Sequence, residues 1–445
     1  MMAKAAATTA TPQPLRICML AGNPLLYDGR VLRHAETLAR AGHAVTLIGV
    51  LGPNDPPAEG AVLPGVPNLR VVRIDRRRAG LRPRLRWLTS ALRRRLAALG
   101  TSLWGLRWPL PQLWVAPIAV ELLVAALDSQ ADVFHANDLD TLVPAAWAAW
   151  LRSARFTYDA HELYADERPS LSPLERSARA HVEGTLIAGA AACFTVNALL
   201  ADELSRRYGI AMPIVLHNVP RSVPRPPRAS VTAFSVARPL RLLLHGSWVG
   251  LDQPGVDSAL AALAQVPYAV LTLRGGVRDP AGLAARIAQH GLTGRVTVKP
   301  RLPGAEALVA AAIAEEHDVG LSVHLPDCES RRLATSSKIF EYLMAGLYVI
   351  AADQRGNRHI LSELAEHEPV GLLFSPDDAA SLADVLRQIA ADPELLQRRQ
   401  HAARRLAESV LCWERESERL LHCYRRLGEA GSPSIHHSAR AQSSK

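Results

Sequence analysis

Short apolar runs rich in β-branched residues alternate with longer amphipathic stretches along most of the chain. In the first half the apolar runs are Leu15 to Leu20, Ala44 to Val50, Val71 to Ile74, Val133 to His135, Phe156 to Tyr158, Ala192 to Val196 and Ile214 to Leu216. Between them, helical spacing is visible, as in Ala35, Leu38 and Ala39 before the stop at Gly42. Strands that alternate with helices predict an α/β fold with parallel sheets.

A second series of the same kind follows a proline-rich stretch. Residues 219–239 include Pro224-Arg225-Pro226-Pro227, which cannot form a continuous helix or hydrogen-bond ladder, so we predict an extended linker there. Strand-like runs resume at Leu240 to Leu244, Val270 to Arg274, Val296 to Lys299, Val319 to Val323 and Tyr348 to Ala352. We therefore predict two doubly wound domains, 15–218 and 240–405, with a ligand cleft where the carboxyl ends of their strands meet.

The chain ends and one uncharged stretch lack this alternation. Residues 1–14 have no apolar core of signal-peptide type and 428–445 are Ser-rich, so we predict disorder in both. The stretch Thr185 to Ala201 carries no charge, but Gly189 and Asn197 interrupt it. This favours a helix end, a strand and a new helix over a membrane span.

Length, composition and missing motifs exclude several classes of protein. The chain has 445 residues and 49% hydrophobic content, which is enough for two large cores. Its five cysteines have no metal-ligand spacing and their number is odd, so we expect neither a disulfide framework nor a zinc site, and a reducing cytoplasm fits best. The absence of a G-x-G-x-x-G or P-loop motif argues against dehydrogenase and NTPase functions.

The positive charge is concentrated in residues 70–114. This segment holds 12 Arg and one acid, Asp75, a net charge of +11, whereas the whole chain carries +9. It also contains Trp87, Trp104, Trp108, Trp114 and leucines near helical spacing. We predict a basic amphipathic helix with an aromatic loop that contacts an anionic membrane surface. The alternative is a solvated basic face packed on the first domain; nucleic acid is not expected, because no recognition module is present.

Candidate binding residues in the second half stand at helix and strand ends. Glu341 is a carboxylate on the otherwise apolar stretch that ends at Gly346, where it can accept hydrogen bonds from two ribose hydroxyls while Lys338 meets a phosphate. The alternative is a core helix on which Lys338 pairs with Glu341. Gly246 and the pair Arg274-Gly275 would let the backbone and one cation approach a diphosphate.

In the first half, two successive strands end in His and acidic residues. Asp138 follows the first of these strands and His161-Glu162 follows the second. Residues at strand ends line the cleft of such a fold, which favours a functional role over a core role. Asp28-Gly29-Arg30 opens a helix and can present backbone N–H groups and Arg30 to an anion, although a structural loop is an equal alternative. Asp138-Leu139-Asp140 resembles a DxD metal pair, but such a pattern alone is weak, and no metal is assigned.

Together these motifs resemble the two-domain GT-B glycosyltransferases, especially the retaining family 4, over about Leu15 to Leu427. The matching segments are Asp28 to Val31, the Asp-x-His-Glu-Leu motif ending at Leu163, Asn218-Val219-Pro220, the Ser-x-Lys-x-x-Glu-Tyr motif ending at Tyr342, and Trp413-Glu414 with Leu420 to Leu427. The resemblance implies two Rossmann-like domains that face each other across a cleft. It also implies a C-terminal helix, 406–427, that crosses back to the first domain.

The resemblance assigns roles to the candidate residues. His161 would touch the transferred sugar or its leaving oxygen, and Glu341 would bind the donor ribose. Asp138 would be the second catalytic residue and line the acceptor side or the closing cleft. The diphosphate would lie near Lys338, Arg274, Gly246 and Gly275, and the acceptor side of the cleft near Arg30, Asp28 and Glu162. Neither a metal nor another cofactor is expected.

The implied function is transfer of a sugar from a nucleotide sugar to a glycan or lipid-linked acceptor. It would proceed with retention, in cell-surface polysaccharide or glycolipid synthesis, in the cytoplasm at the inner face of the membrane. Two alternatives stay open: a nucleotide-sugar epimerase of the same fold, and a degenerate GT-B scaffold protein. The second arises because family members commonly carry a cation in the loop that opens the second domain, where this chain has Asp252-Gln253-Pro254-Gly255. They also commonly carry an acid at the position of Leu333.

Overall fold

The computed structural model describes residues 13–52, 55, 63–75, 81–226, 233–365 and 368–429. For residues 81–89 the structure describes the backbone but not the side chains. The disorder predicted for 1–14 and 428–445 therefore concerns residues that fall almost entirely outside this part of the chain. So do residues 227–232 of the predicted linker.

The first domain is a seven-stranded parallel sheet in the order β3-β2-β1-β4-β5-β6-β7. Its buried apolar strands are flanked by helices, and side chains such as Ser172 and Asn197 cap helix starts. The elements are β1 Arg16–Leu20, α1 Gly29–Arg40, β2 Ala44–Leu51, β3 Leu69–Asp75, α2 Leu81–Trp104, α3 Leu110–Val115, α4 Ala119–Leu127, β4 Val133–Asn137, α5 Leu139–Arg152, β5 Arg155–Ala160, a 3₁₀ turn Tyr164–Asp166, α6 Pro173–Ile187, β6 Ala192–Thr195, α7 Ala198–Tyr208 and β7 Ile214–Val215.

The second domain repeats this design with a six-stranded parallel sheet in the order β10-β9-β8-β11-β12-β13. Its elements are β8 Leu240–Trp248, α8 Val256–Ala264, β9 Ala269–Gly276, α9 Pro280–Gln289, β10 Val296–Lys299, α10 Gly304–Ala314, β11 Val319–Ser322, α11 Glu329–Leu333, α12 Ser337–Ala345, β12 Tyr348–Ala352, α13 Arg355–Arg358, a π turn His359–Glu363, β13 Gly371–Phe374, α14 Ala379–Ala391 and α15 Pro393–Ser409. The predicted α/β class with two doubly wound halves is confirmed.

The last helix returns to the first domain. α16, Trp413–Glu429, buries Trp413 and Tyr424 in the core that also holds β1 and α1, and the indole N–H of Trp413 donates to the Thr37 hydroxyl at 2.9 Å. The stretch predicted as one helix over 406–427 is in fact the end of α15, a break at 410–412 and α16. The crossing therefore begins at the break.

The carboxyl ends of the two sheets face the same interdomain region. Between them, the backbone N–H of Leu163 donates to the Ser330 hydroxyl at 3.0 Å, and the Asn197 amide donates to the Leu333 carbonyl at 2.9 Å. Leu333 is buried in the core of the first domain. Its apolar side chain is accounted for by this contact, because an acid there would be desolvated.

In the basic segment, residues 70–75 belong to β3 and residues 81–114 form α2, a loop and most of α3, whereas residues 76–80 lie outside the described part of the chain. Trp104 and Trp108 are exposed, whereas Trp114 is half-buried and the side chain of Trp87 lies outside the described residues. Among the helices described, none combines the length and hydropathy that a membrane crossing requires.

Candidate functional site

An ionic cluster lies where β4 and β5 end. Asp138 follows β4 with a φ of 69°, and His161 follows β5, so that the chain turns sharply at both strand ends. His161 Nδ1 is 2.8 Å from Asp138 Oδ1, and its Nε2 is 3.2 Å from Asp159 Oδ2. The Tyr164 hydroxyl donates to Asp138. His161 and Asp138, the two residues predicted as catalytic, are therefore in direct contact.

The two carboxylates decide the charge of His161. Burial by itself lowers the pKa of this imidazole, but Asp138 and Asp159 oppose it and raise the pKa well above 6.5. Burial likewise raises the pKa of Asp159, yet Arg30 and His161 hold it well below its usual range. His161 is thus an imidazolium near neutral pH. Its Nε2 is buried and faces Asp159, without an aligned hydrogen bond among the described residues.

Arg30 is buried against this cluster and does not face the cleft, whereas Asp28 caps the helix that carries Arg30. Arg30 is 3% exposed, and its guanidinium donates to both oxygens of Asp159 at 2.8 and 2.7 Å and to the Leu216 carbonyl at 2.5 Å. Asp28 caps α1 by accepting from the Val31 N–H at 3.1 Å. The structure therefore buries Arg30 away from the acceptor-side position expected from sequence, whereas the acceptor-side role of Asp28 stays a prediction. Asp159 was not singled out, although it is the first residue of the Asp-x-His-Glu-Leu motif.

Glu162 joins the two domains. Its carboxylate accepts from the Ser330 hydroxyl at 2.5 Å, and Ser330 belongs to α11 of the second domain. Burial raises the pKa of Glu162, and the Ser330 hydrogen bond partly offsets that rise. This side chain closes the domain interface beside His161.

Three of the residues predicted in the second half, Gly246, Lys338 and Glu341, line a cavity of about 210 Å³ between the domains. Glu341 is 9% exposed there, and its Oε2 is 2.5 Å from His245 Nε2. Lys338 lies one helical turn before Glu341 on α12 and points into the same cavity. The lining residues are Tyr27, Gly29, Arg33, Asn218, His245, Gly246, Ser247, Arg301, Leu302, Gly304, Ala305, Leu308, Ser337, Lys338 and Glu341.

Lys338 is a poorly compensated cation. Burial lowers its pKa to about 8, and the charge of Glu341 offsets this only in part. Its Nζ contacts His324 Nε2, and the ammonium charge, followed by burial, lowers the pKa of His324 to about 3. Gly246 makes room for this amine, because a Cβ on it would be 2.9 Å from Lys338 Cε. The site therefore holds a positive charge that an anion would stabilise.

Replacing Lys338 with Met should stabilise the ligand-free protein at pH 7 by up to about 3 kcal/mol, because the lowering of its pKa to about 8 reflects the free-energy cost of burying its charge. The folded pKa of about 8 lies below the ordinary 10.5, so the unfolded state binds the proton more tightly. The cost of folding with Lys338 is complete below pH 8 and fades as pH rises towards 10.5. Thermal unfolding at pH 7 and pH 10 should show the gain shrinking. Lys299→Met serves as the control. Lys299 is paired with Glu315 at 2.9 Å, so its replacement should bring no gain in stability.

Arg274 and Gly275 do not line this cavity. Arg274 is buried against Glu315 and the Pro300 carbonyl. A Cβ on Gly275 would be 2.5 Å from the Gly246 carbonyl, so this glycine allows β8 and β9 to approach each other. The arginines that do reach the cavity are Arg33 and Arg301, which the sequence motifs did not indicate.

One buried group has the composition of a metal site. Ligand atoms of His34, His135 and Asp159 lie within 4.8 Å of one another, the described residues that come closest to a metal-binding set. Arg30, however, already bonds both oxygens of Asp159, and its charge would oppose a dication. His135 accordingly acts as a core residue, with its Nδ1 2.8 Å from both the Thr157 and Tyr424 hydroxyl oxygens. These residues fit a metal poorly, and metal independence stays a prediction.

Comparison with known proteins supports the fold and the N-terminal motifs. Residues 29–221 match the family model described as Glycosyl transferase 4-like domain. No curated protein sequence matches the chain.

Several solved structures share the two-domain architecture. Sucrose-phosphate synthase from Thermosynechococcus elongatus is 19% identical over 93% of this chain and 99% of its own, with a TM-score of 0.63. Anabaena HepE in complex with UDP and glucose is 16% identical over 92% and 99%, with a TM-score of 0.62. WaaG, a glycosyltransferase involved in lipopolysaccharide biosynthesis, is 15% identical over 91% and 98%, with a TM-score of 0.55. At these identities the likeness establishes the GT-B fold.

Proposed function

We propose that this protein, a GT-B glycosyltransferase that resembles family 4, moves a sugar from a nucleoside diphosphate donor to a hydroxyl of its acceptor. The observation that carries the proposal is the convergence of Glu341 and Lys338 on one interdomain cavity. A carboxylate accepts from two ribose hydroxyls, and an under-compensated ammonium attracts a diphosphate. Both groups come from one turn of α12, which holds them at a set spacing.

UDP is the first donor nucleotide to test. HepE, which shares the fold, was crystallised with UDP and with UDP-glucose. In this chain the cavity is bounded by the end of β8 at Gly246 and by the start of α10 at Gly304, which gives the nucleotide backbone groups as well as side chains. We propose that neither a metal nor another cofactor is needed, because cations of the protein face the cavity.

The reaction breaks the bond between the anomeric carbon and the diphosphate oxygen and forms a bond from that carbon to the acceptor oxygen. The hydroxyl proton leaves to an oxygen of the departing diphosphate. His161, as an imidazolium, stabilises the negative charge that develops on the sugar or its leaving oxygen. Retention of configuration is supported by the resemblance to family 4.

The acceptor proposal is a glycan or lipid-linked sugar in surface polysaccharide or glycolipid synthesis, made in the cytoplasm at the inner face of the membrane. It is supported by an exposed amphipathic surface on α2, which we call the leucine stripe: Leu92, Leu96, Leu99 and Leu103. These side chains are 56 to 63% exposed at helical spacing, and Trp104 and Trp108 extend the stripe. Arg94, Arg95 and Arg107 are exposed beside it. Apolar and cationic groups side by side match an anionic lipid surface.

The leucine stripe predicts binding to vesicles that contain phosphatidylglycerol and little binding to pure phosphatidylcholine vesicles, measured by co-sedimentation. Leu96→Asp with Leu103→Asp should abolish binding, because it places two charges at the apolar boundary. Met212→Asp, an equally exposed position outside the stripe, should leave binding intact. Equal sedimentation of the stripe variant and wild type would instead favour a solvated basic face.

The proposed function is tested by thermal unfolding with UDP, GDP, ADP and dTDP, each with and without magnesium. A nucleotide at about 100 times its Kd stabilises by about 2.7 kcal/mol, a shift of several degrees. We expect one of the four nucleotides to raise the unfolding temperature of the wild-type protein. The Glu341→Gln variant should not show this rise. A lack of stabilisation by all four would favour the scaffold alternative. Incubation with the matching nucleotide sugar then separates the enzymes: labelled sugar should join an acceptor, whereas an epimerase would return altered free sugar.

A further inference from the structure

The cavity that holds Glu341 and Lys338 also receives a cation from the first domain. Arg33 lies on α1, one turn after Arg30, and its side chain is only 7% exposed. Its Nη2 donates to the Asn218 side-chain oxygen at 2.7 Å. Its nearest carboxylate is Glu306, at 3.8 Å from Nη1. The Arg33 guanidinium therefore lies at the domain boundary, and among the described residues Glu306 is the one carboxylate within 4 Å of it.

The surroundings of Arg33 keep space for the guanidinium and leave part of it unpartnered. A Cβ on Gly29 would be 2.9 Å from Arg33 Nη1, so a larger residue there would displace it. The buried Nε has no hydrogen-bond partner among the described residues. A buried donor without a partner is costly, and the cost is recovered when a ligand oxygen accepts from it. Burial also lowers the pKa of Arg33, although the charges of Glu306 and Glu341 oppose this.

The side chains that line the cavity carry more positive than negative charge. Three cations line it, Arg33, Arg301 and Lys338, against the carboxylate of Glu341, which leaves an excess of about two positive charges. The diphosphate of a nucleotide sugar carries about two negative charges, so the excess matches it. Arg301 is exposed and lies 3.9 Å from the centre of the Tyr27 ring. Arg33 is buried with its Cζ 5.6 Å from the centre of the Trp413 ring, and its Nε has no hydrogen-bond partner among the described residues.

We infer that Arg33 binds the donor diphosphate together with Lys338 and supplies the cation that the loop at Asp252 lacks. The inference rests on the proposed function and deepens it. Asp252 itself is paired with Arg278 at 2.7 Å, so that loop offers no free positive charge at this position. Because Arg33 belongs to the first domain and Lys338 to the second, the diphosphate is held by both domains. Donor binding then depends on the arrangement of the domains as well as on the second domain alone.

The test compares UDP, inorganic pyrophosphate and uridine on the full chain by titration calorimetry. Arg33→Met should weaken UDP and pyrophosphate binding about 10- to 100-fold, the effect of losing one charged hydrogen bond. Uridine binding should be unchanged, because the nucleoside is bound through Glu341 and has no phosphate. Arg33→Lys should recover part of the loss. Arg40→Met, an exposed arginine on the same helix, is the control and should bind all three as wild type does.

The outcomes separate this inference from the proposed function. Equal UDP and pyrophosphate affinity in wild type and Arg33→Met overturns the inference alone. Parallel loss of uridine and UDP binding in Arg33→Met assigns Arg33 a structural role and also overturns it. A wild-type protein that binds none of the three probes overturns the proposed function and this inference together.

Discussion

Replacing His161 by Ala is expected to lower the kcat of sugar transfer by about 100- to 10,000-fold, the range seen when one preorganised acid or hydrogen-bond donor is lost. Asp138 and Asp159 hold His161 as an imidazolium before the reaction starts, so no reorganisation is needed when charge develops on the leaving oxygen. The KM for the donor should change much less, because Glu341 and Lys338 bind the nucleotide elsewhere. Initial rates with the matching nucleotide sugar measure both constants.

The positive charge of His161 predicts that both the stability of the protein and its transfer rate depend on pH. Because the folded pKa of His161 lies well above 6.5, its contribution to stability is complete below the unfolded pKa and is lost as pH rises through the folded value. The transfer rate should likewise hold through neutral pH and fall on the alkaline side. His161→Gln should lose this alkaline fall, whereas His181→Ala, an exposed histidine of the same domain, should keep both rate and profile. A His161→Ala enzyme with near wild-type kcat would exclude His161 from the chemistry.

Arg30→Met is expected to destabilise the protein by about 3 to 5 kcal/mol, because it leaves Asp159 buried and without its main cation. Both side chains of this pair are nearly inaccessible, at 3 and 0% exposed. In a domain of this size the loss corresponds to a fall in Tm of roughly 6 to 20 °C. Thermal unfolding measures it. Adding Asp159→Asn to Arg30→Met should restore part of the stability, since the unpaired buried charge is then removed.

An exposed pair of the same chemistry provides the control. Arg16 and Asp132 also form a bidentate contact, with a shortest distance of 2.6 Å, but Arg16 is 54% exposed. Solvent screens such pairs, so Arg16→Met should cost less than about 1 kcal/mol. If Arg30→Met and Arg16→Met shift the Tm equally, the buried pair does not hold the His161 cluster together. The same measurement on Asp138→Asn shows how far that cluster depends on its second carboxylate.

Most strands were predictable because a parallel strand is apolar along its whole length. The run Ala44 to Val50 corresponds to β2, Ala44–Leu51, and Val319 to Val323 to β11, Val319–Ser322. The edge strand β13, Gly371–Phe374, was not predicted. It is a short edge strand, and its run resembles the apolar stretches of neighbouring helices. The sequence also gave no sign of the break at 410–412 between the last two helices.

The candidate site likewise contains residues that the sequence indicated and residues whose roles it did not indicate. Glu341, Lys338 and Gly246 follow a local pattern, a polar residue on an apolar helix and a glycine at a strand end, and the structure brings all three to one cavity. Arg30 and Arg33 look alike in sequence, being three residues apart on the same helix. Their roles differ because Asp159, distant in sequence, bonds Arg30, whereas Asn218 and the second domain surround Arg33.

The sequence by itself determined the α/β class, the two-domain plan and the motif residues at the strand ends, because hydrophobic periodicity and local chemistry depend only on neighbours along the chain. Only the tertiary structure decided which charges meet. Arg274 pairs with Glu315, Arg30 with Asp159, and Arg33 reaches the cavity of Glu341. Coulomb interactions and desolvation depend on distance and burial in space, and residues far apart in the chain set both.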